Sequence, residues 1–428
     1  MRFRRLYCED FQPFGELDLR FPAVEHPQRG GEVHILTGVN GTGKTRLLAV
    51  LAAMLGNSEA LKARVGGDQK PYYVEITDDH GGLRGNQIFP PPSPEVEMRP
   101  PLFVYGWRGS EFGWGPGPVN RESIPACSYS GDAYLLGTTV QGSMEAVPVP
   151  DRVAMLDVRK PESASKRLSQ ALYNLTIMGA NDIRTFDSLS LAKEKSRPLR
   201  LLSRIEATLQ ELTGRKLSFR PVPTPTTRLL VAWGSTEALP FELLPDGLRS
   251  VLGWLVDLAV TMDLHYPDKA EPWNQPLIVL LDEVERHLHP AWQRKILPIA
   301  QKLFPQAQFF VATHSPFIIS SLNEGWIHHL ELGENGRVTV DAPMAAAEGD
   351  SYVSVMASIM GVTELYDPET ESLLQNYRDL RAAAMRREAG KREEAIILSE
   401  KIAQRGPELA YMMQKERNQL AALLNGSL

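Results

Sequence analysis

The sequence predicts an α/β protein built on parallel strands, and three observations support that fold class. A short apolar strand at 33–38 enters a glycine-rich loop, and the apolar residues of 44–55 then repeat with helical spacing. A second apolar run, at 277–281, and a third that ends at Thr313 have the composition of buried strands. One helical segment near 291–303 lies between them, which is the order of a β-α-β unit.

The segments around the glycine-rich loop predict both strands and helices. Residues 3–11 and 16–21 read as two strands joined by a turn, the second with clear apolar-polar alternation. From 80 to 150 the chain is dense in Gly and Pro, which favours loops and short strands. Residues 151–215 predict helices, and Gly214 is placed as the C-cap of the second one.

The second half continues with strands at 216–222 and 228–234 and a helix at 247–262. The charged C-terminal segment predicts about three helices, broken at Gly390 and at Gly406-Pro407. We therefore expect four parts: an N-terminal lobe at 1–150, a helical insertion at 151–215, a C-terminal lobe at 216–340, and a helical module for dimerisation or partner docking at 341–428.

Composition limits the class of protein. The chain has 428 residues, of which 43% are hydrophobic and 23% charged, and a formal net charge of −6, as in ordinary globular proteins. Its cysteines, Cys8 and Cys127, have no zinc or disulfide spacing. The chain starts without a signal-peptide pattern and lacks an apolar run of about 20 residues, so we expect a cytoplasmic protein with no membrane partner.

The loop "GVNGTGKT", which starts at Gly38, matches the phosphate-binding pattern G-x-x-x-x-G-K-T. Its glycines let backbone N–H groups surround an anion, and the following helix adds its positive dipole end. Lys44 can reach the β- and γ-phosphates of a nucleoside triphosphate, and the Thr45 hydroxyl can bind Mg²⁺. The predicted nucleotide-binding residues are Gly38, Asn40, Gly41, Thr42, Gly43, Lys44, Thr45 and Arg46.

Two carboxylates follow the apolar run at 277–281. Asp282 and Glu283 stand where this strand would end, at the edge where open α/β sheets bind ligands. Because adjacent strand residues point to opposite sides, we assign Asp282 to the magnesium ion and Glu283 to the attacking water. An acidic strand end alone is a weak signal, since such residues are often merely solvated. Together with the glycine-rich loop, the pair predicts hydrolysis of a nucleoside triphosphate.

Two further motifs complete the candidate site. His314 follows the third strand in "THSP", and a β-α-β unit would bring it beside Glu283, where its imidazole could donate to the γ-phosphate. The alternative is a histidine that caps a turn. The predicted catalytic residues are therefore Lys44, Glu283 and His314. The motif "LPDG", with Pro245, Asp246 and Gly247, exposes N–H groups at a helix start, and alone it is no more than that.

In this order, "GVNGTGKT", "LPDG", "LLDEVERHLHP" and "THSP" resemble the motifs of ABC-type ATPase heads of the RecF and SMC class. They are more closely similar to those of the AAA-type ABC ATPases of bacterial anti-phage systems, the OLD-like and Septu PtuA-like proteins. In this resemblance "LPDG" is the signature loop, and residues 285–290 are the D-loop that follows the Walker B motif. The resemblance covers residues 1–60 and 215–335.

The resemblance implies a P-loop NTPase of the ABC/SMC-head type with an antiparallel β subdomain, a helical insertion and an α-helical C-terminal module. It implies a homodimer or higher homo-oligomer in which two heads enclose ATP and Mg²⁺. Pro245, Asp246 and Gly247 of one head would meet the nucleotide that the other head holds. The C-terminal segment lacks the carboxylate spacing of the TOPRIM nuclease that OLD proteins carry there. We therefore expect a separate effector protein, such as a nuclease.

The chain departs from the family pattern at Pro245, and two further features of that pattern are open. Pro245 stands where serine is common, which removes a hydroxyl and an N–H and predicts slow hydrolysis or use of ATP as a holding switch. Gln87 and Gln141 are both candidates for the Q-loop glutamine, and the sequence does not decide between them. The segment around Arg108 resembles a Tyr-Gly-x-Arg piece of some relatives, or equally a loop anchored by aromatic side chains.

Other functions stay open at this point. A RecF-like repair ATPase that clamps DNA is the main alternative. A basic cluster could contact DNA phosphates, although interleaved glutamates are more typical of a solvated helix face; it comprises Arg386, Arg387, Lys391 and Arg392. A transport ATPase subunit is disfavoured because "LSGGQ" is absent, and a non-catalytic ATP-binding scaffold because Glu283 is intact.

Overall fold

A computed structural model describes residues 2–25, 30–55, 73–79, 83–88, 104–108, 111–113, 126–130, 161–222, 228–234, 237–346, 349 and 351–425. The chain forms two compact units, Met1–Val355 and Met356–Leu428. Among the described helices, none is both long and apolar enough to span a membrane. Cys8 and Cys127 are buried free thiols.

The described strands all belong to the first unit. In chain order they are β1 (Phe3–Phe11), β2 (Gly15–Arg20), β3 (Glu32–Gly38), β4 (Tyr73–Asp78), β5 (Leu83–Ile88), β6 (Val104–Arg108), β7 (Glu111–Gly113), β8 (Ala126–Ser130), β9 (Leu217–Val222), β10 (Arg228–Trp233), β11 (Leu239–Pro240), β12 (Leu277–Asp282), β13 (Ala307–Ala312), β14 (Trp326–Leu332), β15 (Val338–Val340) and β16 (Met344–Ala345).

The described α-helices are distributed over both units. In chain order they are α1 (Lys44–Met54), α2 (Pro161–Thr185), α3 (Leu189–Lys195), α4 (Arg197–Thr213), α5 (Asp246–Val251), α6 (Asp257–His265), α7 (Pro290–Leu303), α8 (Pro316–Ile319), α9 (Tyr352–Ser358), α10 (Pro368–Met385), α11 (Lys391–Ala403) and α12 (Pro407–Asn425).

These strands form three sheets. A six-stranded sheet has the order β2-β1-β4-β5-β6-β7, and a three-stranded sheet has the order β11-β10-β9. The largest sheet has the order β15-β14-β3-β13-β12-β8, with β16 paired to β14. Within it, β14, β3, β13, β12 and β8 run parallel. This parallel sheet is the one that carries the glycine-rich loop.

The register of the parallel sheet brings three strand ends to one edge. Asp282 at the end of β12 lies opposite Ala312 of β13, and Ala312 lies opposite Leu36 of β3. Strand β13 therefore separates the strand that enters the glycine-rich loop from the strand that ends in the carboxylates. Loops that leave these three strands meet at a single edge of the sheet.

Apolar packing fixes the glycine-rich loop from both sides. Strands β12 and β13 are buried along their whole length, as their continuous apolar runs predict. The rings of Phe3 and Phe21 pack on Phe310 of β13, with centroids 6.1 and 4.8 Å away. Leu47 and Leu48 of α1 belong to the same core cluster. The strand before the loop and the helix after it thus share one core.

A buried ion pair connects the helical insertion to the rest of the first unit. Asp257 of α6 pairs with Arg167 of α2, and the Tyr129 hydroxyl of β8 donates to the same carboxylate at 2.9 Å. Helix α4 ends with Gly214 as its C-cap at φ 73°, as the sequence predicts. Between α5 and α6, residues Leu252–Val256 form a π-helical turn.

The second unit is a small helical domain. Helices α10, α11 and α12 share a core that includes Leu374, Ala395, Ile402 and Met413. At the first predicted helix break, Gly390 has φ 77°, a conformation that glycine adopts at little cost. Both predicted breaks, at Gly390 and at Gly406-Pro407, fall between these helices.

The predicted fold class is confirmed: a P-loop α/β fold with an antiparallel sheet, an inserted helical region and helices at the C-terminus. Strands β14–β16 were not predicted. The segment "WIHHLEL" of β14 has polar residues within it and lacks a continuous apolar run. The predicted helix at 247–262 is a composite of α5, the π-helical turn and α6. The four-part division of the chain stays a prediction, and its boundary at 150 lies outside the described residues.

Candidate active site

Two glycines of the loop adopt backbone conformations that other residues avoid. Gly38 has φ 146°, and a Cβ atom there would lie 2.2 Å from the Leu330 carbonyl oxygen. Gly43 has φ 83°, and its Cβ would lie 2.7 Å from the Phe14 ring. A side chain at either position would clash and strain the backbone. The loop shape therefore depends on these glycines, as the phosphate-binding pattern predicts.

Lys44 is a buried cation whose partners in the described structure are uncharged. Lys44 is the first residue of α1 and is 7% exposed. Its Nζ donates to the carbonyl oxygens of Gly38 at 2.9 Å and Val39 at 3.0 Å. Burial lowers the pKa of Lys44 to about 8, against the opposing effect of the Asp282, Glu283 and Glu285 carboxylates. A phosphate group would add a negatively charged acceptor within hydrogen-bond reach of Nζ.

Thr45 and Asp282 join the two main motifs. The Thr45 hydroxyl donates to Asp282 Oδ1 at 3.0 Å, a contact between residues 237 positions apart in the chain. Asp282 is 6% exposed. A hydroxyl and a carboxylate are hard oxygen ligands of the kind Mg²⁺ prefers. In the described part of the chain no group of three or more His, Cys, Asp or Glu could hold a metal, so such an ion would need phosphate and water ligands.

Glu283 lies just past the end of β12, in a turn. It has φ 52°, and its N–H donates to the Ala312 carbonyl at 2.8 Å. The left-handed turn, rather than strand alternation, therefore separates its side chain from that of Asp282. The Glu283 side chain is 43% exposed and lies 3.4 Å from the Arg286 guanidinium. Its carboxylate is thus open to solvent, as a residue that contacts water requires.

His314 lies at the same sheet edge, one strand from Asp282. Its backbone N–H donates to Glu285 Oε1 at 2.9 Å. Burial and the nearby Lys44 charge lower the pKa of His314, and Glu283 opposes them. The ring is therefore neutral at pH 7, with one nitrogen able to donate and the other able to accept.

Glu285 and Gln293 belong to this site although the sequence did not single them out. Burial raises the pKa of Glu285, and the His314 N–H opposes that shift. Gln293 Oε1 accepts from the Ser315 hydroxyl at 2.5 Å, and its Nε2 donates to the Leu288 carbonyl at 2.9 Å. The available signal for Glu285 was its spacing, one further carboxylate two residues after Glu283.

The signature-loop residues lie at the start of α5. Pro245 is the N-cap of α5, and Asp246 pairs with Arg249 at 3.2 Å. Gly247 is buried, and a Cβ there would lie 2.7 Å from the His287 carbonyl of the D-loop. Leu248 and Arg249 donate their N–H groups to the Pro245 carbonyl at 2.9 and 3.0 Å. The contact of Gly247 with His287 packs the signature loop on the D-loop of its own chain.

The remaining predicted residues differ in what they contact. Asn40 and Gly41 are exposed, and the Thr42 hydroxyl donates to the Val39 carbonyl at 2.9 Å. Arg46 donates to the Gln12 carbonyl at 2.7 Å, so it is held by the β1–β2 turn.

The candidates from the glycine- and proline-rich region are only partly placed. Gln87 is in β5 and Arg108 in β6. Gln141 lies outside the described residues.

Comparison with known proteins finds relatives that are described as probable ATPases. The family described as "AAA domain, putative AbiEii toxin, Type IV TA system" matches residues 146–320. The "Retron Ec83 probable ATPase" of Escherichia coli is 36% identical over 139 residues, which are 32% of this chain and 24% of that protein. The "Retron Vc95 probable ATPase" of Vibrio cholerae is 32% identical over 161 residues, 37% of this chain and 30% of that protein.

A third relative belongs to the group that the motifs predicted. "Septu protein PtuA" of Bacillus thuringiensis is 24% identical over 164 residues, 37% of this chain and 41% of that protein. This chain thus spans less than half of the length of each of these relatives. The predicted resemblance to Septu PtuA-like ATPases is confirmed.

One solved structure is a distant likeness. It is the SMC head domain with an extended coiled coil, bound to the C-terminal domain of ScpA, derived from Pyrococcus furiosus. It has 12% identity and a TM-score of 0.44, over 80% of this chain and 96% of that one.

Proposed function

We propose that this chain binds ATP with Mg²⁺, hydrolyses it slowly, and uses the nucleotide to dimerise and so control a separate effector in anti-phage defence. The observation that carries the proposal is the Thr45–Asp282 hydrogen bond of 3.0 Å. It joins the loop that fits a phosphate to the carboxylate that fits a magnesium ion. Buried Lys44, which has only uncharged hydrogen-bond partners in the described residues, supports the same reading.

Each residue has a distinct part in the proposed reaction. Lys44 and the loop N–H groups hold the β- and γ-phosphates, and Thr45 and Asp282 hold the metal. When bound, the magnesium ion offsets negative charge on the phosphates. Glu283, exposed at the sheet edge, accepts a proton from the attacking water. His314, neutral at pH 7, donates a hydrogen bond to the γ-phosphate.

Dimerisation is proposed from the resemblance to ABC-type ATPase heads, in which the signature loop of one head meets the nucleotide held by the other. The start of α5, with Asp246 and Gly247, would approach the nucleotide that a second copy holds. Pro245 contributes no N–H there, which supports slow turnover.

The proposed effector control has two supports. The relatives' names include retron and Septu proteins, and the chain matches only part of each. The second unit exposes large apolar side chains, such as Ile397 at 67% and Tyr411 at 61%. The basic cluster there is partly neutralised, because Arg386 pairs with Glu388 and Lys391 with Glu394. No observation favours DNA clamping over protein docking.

Glu283→Gln tests the catalytic proposal. This variant should bind ATP normally and hydrolyse it at least about a hundredfold more slowly, because the base is lost. With ATP it should elute as a stable dimer in size-exclusion chromatography with light scattering. Hydrolysis at the wild-type rate would refute the role of Glu283, and a monomer with ATP would refute dimerisation.

A mixing experiment tests the shared site. Lys44→Ala removes the phosphate-binding lysine of the shared site, and Asp246→Trp adds bulk to the exposed signature loop that would meet the nucleotide. Each variant alone should therefore be nearly inactive. An equal mixture should regain about a quarter of the wild-type rate, because half of the dimers are mixed and each has one intact site. A mixture as inactive as its parts would contradict a site completed by the second copy.

A further inference from the structure

The D-loop, residues 285–290, is tied to the segment that carries His314. Glu285 Oε1 accepts the His314 N–H at 2.9 Å, a bond between a side chain of one loop and the backbone of another. The bonded pair lies 29 residues apart in the chain. The position of the histidine backbone is therefore set by a carboxylate of the D-loop.

A second link acts between the same two loops. Gln293, in the first turns of α7, accepts the Ser315 hydroxyl at 2.5 Å. Its amide group donates to the backbone carbonyls of Leu288 at 2.9 Å and Glu285 at 3.4 Å. One side chain thus holds the D-loop with its amide nitrogen and the residue after His314 with its amide oxygen. The two loops are joined on both sides of the histidine.

The Glu285 carboxylate is held in a costly place. Its second oxygen, Oε2, is buried and has no hydrogen-bond partner in the described structure. The Thr313 side chain and the His314 N–H oppose the effect of burial on the Glu285 pKa, but burial outweighs them, so these bonds only partly replace the lost hydration. An apolar residue of the same size would avoid that cost, so the carboxylate at this position requires an explanation other than stability.

We propose that Glu285 is a positioning residue that holds His314 in place for the γ-phosphate and links it to the D-loop. This inference rests on the proposed ATPase function. Glu285 acts through the histidine: its acceptor oxygen fixes the His314 backbone, and the ring direction follows from it. Gln293 keeps the D-loop in register with that bond. A contact made on the D-loop by a second copy would therefore reach the histidine through two side chains.

Hydrogen exchange tests the link without any use of activity. In nucleotide-free protein, a peptide spanning 310–322 reports the His314 amide. Glu285→Met keeps the size of the side chain and removes the acceptor, so this amide should exchange at least about tenfold faster. Glu194→Met, at an exposed position in α3, is the matched control and should leave exchange unchanged. Unchanged exchange in Glu285→Met would overturn the link.

Steady-state ATPase kinetics test the positioning role. Glu285→Met should lower kcat about 30-fold and change KM by less than about twofold, because misplacement affects the reacting geometry rather than phosphate binding. Glu285→Gln retains an acceptor oxygen and should recover kcat to within about fivefold of wild type. A Gln variant as impaired as the Met variant would mean that charge, and not positioning, is required.

A double mutant separates action through His314 from independent action. If Glu285 acts through the histidine, Glu285→Met should lower kcat by less than about twofold in a His314→Ala background. Losses that multiply would overturn the proposal. Wild-type protein that lacks ATPase activity would sink the proposed function, whereas the exchange experiment would still decide the Glu285–His314 link. Circular dichroism should show all variants folded.

Discussion

The two ends of the parallel sheet both bury charged groups, but they treat them differently. At the amino end, Glu32 and His34 of β3, Gln308 of β13 and His328 of β14 form a buried polar cluster. At the carboxyl end, the charged groups are those of the candidate active site, with Lys44 and Asp282 buried beside it. The first set forms one hydrogen-bonded network around a carboxylate, whereas Lys44 at the carboxyl end has only uncharged hydrogen-bond partners among the described residues.

At the amino end, one carboxylate is the centre of the network. Glu32 accepts from Arg4 at 2.7 Å, from Arg2 at 3.0 Å and from Gln308 at 2.8 Å. His34 Nε2 donates to the same carboxylate at 2.8 Å, and His34 Nδ1 lies 3.1 Å from His328 Nε2. This chain of bonds fits two neutral rings, each protonated at Nε2.

Pairing changes the electrostatic outcome. Burial alone would raise the pKa of Glu32, but hydrogen bonds and charge from His34 and Arg4 outweigh it and bring the pKa to about 2. At the other end, burial dominates and lowers the pKa of Lys44 to about 8. A satisfied buried network stabilises the fold, whereas a buried ammonium group that donates only to neutral oxygens indicates a site for an anionic ligand.

The largest expected effect is on stability at the amino end. Glu32→Ala should lower the free energy of unfolding by about 3–5 kcal/mol, because it leaves buried partners unpaired. The matched change at the carboxyl end, Glu283→Ala, should cost less than about 0.5 kcal/mol because that side chain is exposed. Urea denaturation followed by tryptophan fluorescence measures this, since all seven tryptophans lie in the first unit. Equal losses in the two variants would remove the distinction.

The next effect is on ligand binding at the carboxyl end. Lys44→Ala should weaken ATP binding about a hundredfold, because charge-assisted hydrogen bonds to the phosphates are lost. Unfolding should change by less than about 1 kcal/mol, since Lys44 contacts neutral acceptors whose loss costs little. Titration with a fluorescent ATP analogue measures affinity. If Lys44→Ala bound the ATP analogue normally but unfolded at a lower urea concentration, Lys44 would serve stability rather than ligand binding.

A smaller effect is expected on the stability of the fold at acidic pH. Burial lowers the pKa of both His34 and His328. As the pH falls through 6.5, the unfolded chain takes up protons that the buried rings do not, so stability should fall. The loss should reach up to about 1.4 kcal/mol per ring between pH 7.5 and 5.5. His328→Gln should reduce this dependence, and His287→Gln, at an exposed position, should not. A dependence that His328→Gln leaves intact would contradict the prediction.

The smallest effect is expected for Arg46. Because its guanidinium is held by the Gln12 carbonyl at 2.7 Å, Arg46→Gln should weaken ATP binding by less than about fivefold. The same titration as for Lys44→Ala measures it. A loss as large as that of Lys44→Ala would mean that Arg46 leaves the β1–β2 turn to bind phosphate.

Local features of the fold were readable because each depends on a few adjacent residues. Gly38 and Gly43 indicate a loop conformation that other residues could not adopt, and Gly214 indicates the end of a helix. Features that depend on tertiary packing could not be predicted from the sequence. Strand β14 carries His328 at a buried position, where its ring lies 3.1 Å from the ring of His34 on the neighbouring strand. Glu285 was recognisable as a carboxylate, but its bond to the His314 backbone was not.

The sequence by itself determined the strand–loop–helix around Lys44, the apolar strands that end at Asp282 and near His314, and the helix breaks of the C-terminal unit. These follow from periodicity and glycine placement, which act over a few residues. Only the tertiary structure decided that β13 lies between β3 and β12, that Thr45 meets Asp282, and that Glu32 is fully paired. Such contacts join residues hundreds of positions apart, and packing of whole elements selects them.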